Sequence, residues 1–226
     1  MIRVCFGDVS ILNEEGVYRA LYSQTSLARR EKADRFVFRK DKNLCIGASA
    51  LLNAGLREFG LSEAEMQYGA GMNGKPFFEN APEIHFNLSH SGDRVMAVFS
   101  DAEVGCDIEK VTEMPPGVAK RFFAPSEYEM LLSCPDQDAR NNLFFRLWTL
   151  KESFLKASGS GLFRPMNSFE IRISEAGEAS LGELNSGKQD PVFYEFDTIP
   201  GYRSAVCAER HAGSEEISVE RICLGA

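Results

Sequence analysis

Two short stretches of this chain hold residues whose types and spacing suit phosphate chemistry. The first is Gly105-Cys106-Asp107-Ile108-Glu109. On a strand, alternate residues share a face, so Asp107 and Glu109 point the same way while Ile108 enters the core. Two carboxylates about 6–7 Å apart on a rigid element begin a hard-cation site, because Mg2+ prefers oxygen ligands. The same spacing also describes the solvated acidic face of an edge strand. The second stretch runs from Trp148 to Lys156, WTLKESFLK. On a helix, Trp148, Glu152 and Lys156 recur every four residues on one stripe, while Leu143, Leu147, Leu150 and Phe154 face the core. Glu152 would give the first pair a third carboxylate. Alternatively, Glu152 and Lys156 form an ordinary helix-supporting pair worth about 0.2–0.5 kcal/mol.

Two further clusters could meet an anion. Between Arg29 and Lys42 there are seven basic residues and three acidic ones. Arg and Lys are the residues expected around phosphates, although a solvated amphipathic helix produces such clusters as well, and Phe36, Phe38 and Leu44 read as buried. Phe86-Asn87-Leu88-Ser89-His90-Ser91-Gly92 is a strand running into a small-residue turn, where Ser89 and His90 could reach a phosphate oxygen; His90 also reads as an ordinary turn histidine. Gly74-Lys75-Pro76 holds another cation on a stiff turn. No Walker A loop, GxGxxG or GxSxG elbow is present.

The elements that must position these residues follow from periodicity. Ile2, Val4 and Phe6 alternate as an opening strand, and helical patterning in two or three pieces runs from Val17 to about Phe59. Asn73-Gly74 marks a tight turn, and strands follow at 85–88, 94–99 and 104–108. Helices are expected at 118–123, 125–132 and about 137–157, stopped by Gly159 and Gly161. Alternation around Phe169–Ile173, Val192–Phe196 and Ser204–Val206 reads as a small antiparallel sheet. Strand, helices, strands thus occurs twice, which predicts an α+β fold of two similar halves, residues 1–103 and 104–226.

Composition narrows the function. The chain has 226 residues, with 25 basic against 33 acidic side chains and a net charge of −8. A uniformly acidic protein has no sequence-independent grip on nucleic acid or on an anionic membrane. No run approaches the roughly 18 apolar residues of a bilayer span, and the N-terminus lacks a signal-peptide core. Six cysteines, none in a CxxC, read as reduced, buried thiols of a cytoplasmic protein.

Taken in order, NGKPFF, FNLSHSG, VGCDIEKV and FFRLWTLKESFLKASGSGL closely resemble the 4′-phosphopantetheinyl transferases, in particular the long, monomeric surfactin-synthetase type. GxDIE followed about 40 residues later by WxxKExxxK is the most specific element of the match. The resemblance implies two halves related by a pseudo-twofold and a Mg2+-dependent reaction, with Mn2+ as a possible substitute. That reaction moves the phosphopantetheine arm of coenzyme A onto a serine of an acyl or peptidyl carrier protein, of peptide-synthetase, polyketide or fatty-acid type, and releases adenosine 3′,5′-bisphosphate. It further implies Asp107, Glu109 and Glu152 as metal ligands. Glu152 and Lys156 would act on the serine proton and the leaving group, with Glu127 near the metal. Arg29, Lys32, Gly74, Lys75, Pro76, Ser89, His90 and Lys156 would contact coenzyme A. A silent carrier-binding homologue and a generic Mg2+-dependent phosphohydrolase are the rival readings. Asn43 stands where the family usually carries an arginine for the 3′-phosphate. At about 1.5–3 kcal/mol for a charge-assisted contact, its loss predicts weaker discrimination against 3′-dephospho-coenzyme A. The docking surface expected for the carrier is Met114-Pro115-Pro116 through Phe122-Phe123.

Overall fold

The computed structural model describes residues 1–71, 73–182, 190–210 and 216–224. The chain opens with strand β1 (Ile2–Asp8) and helices α1 (Glu15–Gln24), α2 (Leu27–Asp34) and α3 (Arg39–Arg57). A hairpin of β2 (Tyr68–Ala70) and β3 (Pro76–Phe78) leads to β4 (His85–Ser91) and β5 (Arg94–Ser100). The second half starts at β6 (Val104–Lys110) and continues through α4 (Val118–Phe122), α5 (Pro125–Leu132) and the long α6 (Gln137–Ala157). β7 (Ile171–Ile173), β8 (Ala179–Leu181), β9 (Val192–Glu195), β10 (Tyr202–Ala208) and β11 (Ile217–Ile222) follow.

The two halves share one connectivity. In the first, β5 lies between β1 and β4, antiparallel to both; in the second, β10 lies between β6 and β9 in the same way. The longest helix of each half covers its sheet, α3 against β1 and β5, α6 against β6 and β10. Alternation along the strands then makes four layers. Cys5, Val95, Ala97 and Phe99 face α3, and Ala205 and Cys207 pack in the α6 core. Ile2, Val4, Phe6, Met96 and Val98 of one sheet meet Val104, Cys106, Ile108 and Val206 of the other. Because Cys106 and Ile108 fill the inter-sheet layer, Asp107 and Glu109 must turn toward α6.

Gly105 sets the approach of α6 to β6. A Cβ there would lie 2.8 Å from the Lys156 carbonyl carbon and closer still to Ser153 O and Ala157 N. Only a residue without a side chain lets the helix backbone pack so tightly on the strand.

The observed elements differ from the expected ones mainly near the C-terminus. β7 and β8 form their own hairpin, while β9 and β10 join β6. β11 was not anticipated and crosses back to pair parallel with β1. Its sequence, ISVERI, has a mostly exposed, polar face that gives little apolar signal. Phe38 is exposed rather than buried, Cys134 is half-buried and Cys223 exposed, although all six cysteines are free thiols. Among the described residues, no helix is long and apolar enough to cross a membrane.

Candidate active site

The two sheets meet edge to edge at β4 and β6, and side chains form the joint in place of a backbone ladder. Asn87, Ser89 and Ser91 alternate along β4 and accept from the N–H groups of Cys106 (3.0 Å), Ile108 (3.3 Å) and Lys110 (3.1 Å). The two serine hydroxyls also donate. Ser89 Oγ reaches Asp107 Oδ1 at 2.7 Å, and Ser91 Oγ reaches Glu109 Oε2 at 2.6 Å. Buried backbone donors need partners, so the joint satisfies the free edge of β6 and fixes the direction of both carboxylates.

From the facing helix, Lys156 Nζ donates to Asp107 Oδ1 at 2.6 Å, Cys106 O at 3.1 Å and Ser89 Oγ at 3.2 Å. Burial would lower the Lys156 ammonium, but Asp107 outweighs it and holds the group above its ordinary value, charged at neutral pH. Glu152, one turn earlier and half-buried, is raised by burial, opposed by Lys156 and raised further by Asp107. Burial also pushes Glu109 up to about 6, against its Ser91 hydrogen bond and with the Asp107 charge adding to the rise. Asp107, Glu109, Glu152 and Lys156 therefore share one electrostatic neighbourhood.

The structure does not bring the three carboxylates into a finished metal cluster. Among the described residues, no three His, Cys, Asp or Glu side chains stand close enough to hold an ion, since Lys156 and Ser89 hold Asp107 Oδ1 and Ser91 holds Glu109. Two features nevertheless fit a hard divalent cation. Asp107 Oδ2 is buried without any hydrogen-bond partner, an arrangement that ordinarily costs about 1–3 kcal/mol or more. The donors are all carboxylate oxygens, and burial, with a smaller contribution from the Asp107 charge, raises both Glu109 and Glu152.

The remaining expected residues divide. His90 is exposed on the other side of β4, its pKa lowered by partial desolvation and then by Lys156, with Lys32 lowering it and Asp41 raising it. Lys32 stands exposed in the last turn of α2. Arg29 is turned inward, its Nε on the buried Glu63 at 3.0 Å; Glu63 also accepts from Ser49 and, at 3.2 Å, from Tyr68. Lys75 Nζ is engaged by Glu103 (2.5 Å), Val104 O and Ala157 O (both 3.0 Å). Gly74 supplies the left-handed φ of +82° that the turn needs. Asn73 donates to Gly159 O at 2.7 Å, so the turn is tied to the end of α6. Beside this tie, Lys75, Pro76, His85, Ser158 and Gly159 line part of a cavity of about 800 Å3. Asn43 is 2% exposed, donating to Asn13 and accepting from Arg39.

Glu127 requires a correction. It is 0% exposed, and its carboxylate accepts from Lys151 Nζ (2.6 Å), Ile171 N (2.7 Å) and Ala124 N (2.7 Å). This acid ties the start of α5 to α6 and β7 and does not face the cleft. Of the expected docking stretch, Phe123 is buried and Phe122, partly buried, meets Trp148 edge-on at 6.0 Å, while Met114 is half-buried and Pro115 and Pro116 are exposed. Sequence reasoning missed Asn87 and Ser91, although their i, i+2, i+4 spacing with Ser89 was visible, and it missed Lys151 because a buried lysine has no distinctive pattern.

The family model of the 4′-phosphopantetheinyl transferase superfamily matches residues 103–208, which include β6 and α6. The 4′-phosphopantetheinyl transferase ffp of Bacillus subtilis is 37% identical over 200 residues, covering 88% of both chains. The 4′-phosphopantetheinyl transferase Sfp of Bacillus subtilis (strain 168) is 34% identical over 192 residues, 84% of this chain and 85% of its own. The holo-[acyl-carrier-protein] synthase of Thermotoga maritima overlaps 48% of this chain and 64% of its own, with a TM-score of 0.40 and 23% identity. With a cleft built from β6 and α6, and with relatives that span most of its length, this chain belongs to the 4′-phosphopantetheinyl transferase superfamily.

Proposed function

We propose that the cleft transfers the 4′-phosphopantetheine arm of coenzyme A to a serine of a carrier protein and releases adenosine 3′,5′-bisphosphate. The observation that carries this reading is the meeting of Asp107, Glu109, Glu152 and Lys156 across the β6–α6 contact. Asp107, Glu109 and Glu152 would hold Mg2+, or Mn2+ in its place; when bound, the ion supplies charge that offsets what develops on the pyrophosphate oxygens.

The chain's own residues do the rest. Glu152, a stronger base than an ordinary carboxylate because burial raises its pKa, takes the serine proton. The serine oxygen bonds to phosphorus as the pyrophosphate bridge breaks. Lys156, fully charged, neutralises the departing phosphate. Ser89 and Ser91 hold the carboxylates in position. Lys32, His90 and the Lys75 turn flank the coenzyme A phosphates, with Arg29 behind them. We place the protein in the cytoplasm as a monomer, a reading supported by its free thiols and by a cleft built from both halves of one chain. Its carriers would be of the peptide-synthetase, polyketide or fatty-acid type.

Incubation with coenzyme A, Mg2+ and an unmodified carrier protein, followed by weighing the carrier, tests the reading. The transferase adds one phosphopantetheine arm, and Asp107→Ala or Glu152→Ala abolishes the gain. A silent binder leaves both substrates intact, and a phosphohydrolase consumes coenzyme A with no change in the carrier.

A further inference from the structure

Lys75 sits on a turn of the first half, yet every acceptor its side chain reaches lies at the seam or in the second half. Its Nζ donates to Glu103 Oε2 at 2.5 Å, Val104 O at 3.0 Å and Ala157 O at 3.0 Å. An ammonium has three donors, so these three acceptors use all of them. The side chain is 17% exposed. A cation engaged in this way has no N–H left for a ligand phosphate.

The acceptors fall on the two elements that share the site. Val104 opens β6, next to Gly105, and Ala157 ends α6, next to Lys156. The last four carbonyls of a helix have no partner within it, and the helix dipole favours a cation at that end as well. Asn73 adds a second tie, its Nδ2 donating to Gly159 O at 2.7 Å just beyond the helix. The turn that delivers both side chains is itself closed. Gly74 N donates to Gly71 O (2.9 Å) and Gly71 N to Lys75 O (2.8 Å), and Pro76 starts β3 opposite Ala70. Fixed backbone thus carries Lys75 across the seam, to the place where Gly105 lets α6 onto β6.

We infer that Lys75 is a positioning residue of the transferase. It bridges β6 to α6 from the first half and so keeps Glu152 and Lys156 in register with Asp107 and Glu109, without itself contacting a coenzyme A phosphate. The catalytic part of the inference rests on the transferase reading. Loss of the ammonium removes the one donor that Val104 O and Ala157 O share, and the end of α6 is then free to shift against β6. Phosphoryl transfer depends chiefly on positioning, and small misplacements are costly. The ion pair of Lys156 with Asp107, at 2.6 Å and one residue from Ala157, is the first contact to feel the change.

The test is Lys75→Met, which keeps an unbranched side chain and removes its three donors. In steady-state transfer to an unmodified carrier protein, kcat should fall about 10- to 100-fold, while the dissociation constant for coenzyme A, read by titration calorimetry, stays within about twofold of wild type. Amide hydrogen exchange in the last turn of α6 should quicken in parallel. Asn73→Ala should move kcat and exchange in the same direction by less, and serves alone if Lys75→Met folds poorly. A phosphate contact gives the opposite split, with coenzyme A affinity about tenfold weaker or more and α6 exchange unchanged. That result overturns the inference. So does wild-type kcat, whatever the thermal midpoint, because the tie would then serve stability alone. No transfer by the wild-type protein would instead overturn the transferase reading, and the exchange and coenzyme A measurements would still decide whether Lys75 holds α6 or the ligand.

Discussion

Gly105→Ala puts a single methyl group between the two elements that share the site. Ordinary contact begins near 3.4 Å, so the Lys156 carbonyl carbon, 2.8 Å from the new Cβ, must retreat by more than about 0.6 Å, and Ser153 O and Ala157 N by more. The obstacle is helix backbone, which cannot rotate aside as a side chain would. Two effects oppose each other. Replacing glycine inside a strand gains roughly 0.5–1 kcal/mol of unfolded-state entropy, while overpacking costs about 1–3 kcal/mol. Overpacking wins, and the thermal midpoint should fall. The catalytic loss should be larger than the stability loss. β6 carries Asp107 and Glu109, whereas α6 carries Glu152 and Lys156, and a displacement approaching 1 Å between reacting groups costs on the order of 100-fold. The assay is the initial rate of carrier mass gain, measured below the unfolding transition beside a calorimetric scan. If Gly105→Ala keeps wild-type kcat, the close approach of β6 and α6 does not set the site geometry, and the argument from that contact fails.

Other perturbations separate structure from chemistry. Lys151→Met leaves the Glu127 carboxylate buried without its partner and should destabilise the protein by about 3–5 kcal/mol, while the protein still folded keeps its rate per molecule; a specific loss of kcat at full stability would return Glu127 to the catalytic set. Glu103 is held at about 2 by its His85 hydrogen bond, against burial and with help from Lys75. Its folded pKa lies below the unfolded value, so its contribution is present above about pH 4.5 and is lost as pH falls toward 2. Glu103→Gln should therefore lower the midpoint at neutral pH and flatten the acid side of the midpoint–pH curve, and parallel curves for the two proteins would contradict that assignment.

Much of this arrangement was legible from the residues. Asp107 and Glu109 sit together because strand alternation is a local property, and Glu152 and Lys156 align because helix spacing is too. What the sequence left open depended on partners distant in the chain. Glu127 has the composition of a cleft acid, yet Lys151 and two backbone N–H groups draw it inside. Phe38 looks like core in a run of apolar residues, but the turn into α3 points it outward. Ser91 looks like turn punctuation until β4 lies beside β6, where it bonds both Lys110 N and Glu109. The three carboxylates were readable as a group, whereas the ion pair of Lys156 with Asp107 was not.

The return of β11 to β1 has a consequence for how the molecule comes into being. Arg3 and Glu220, 217 positions apart, are ion-paired neighbours on adjacent strands. During synthesis the opening strand can pair with β5 early, but its other edge waits for nearly the whole chain to leave the ribosome. Until then it exposes unpaired backbone, a ready template for wrong pairing. Loss of the final strand would leave every residue of the catalytic cleft present on a protein that is nonetheless prone to aggregate as it is made.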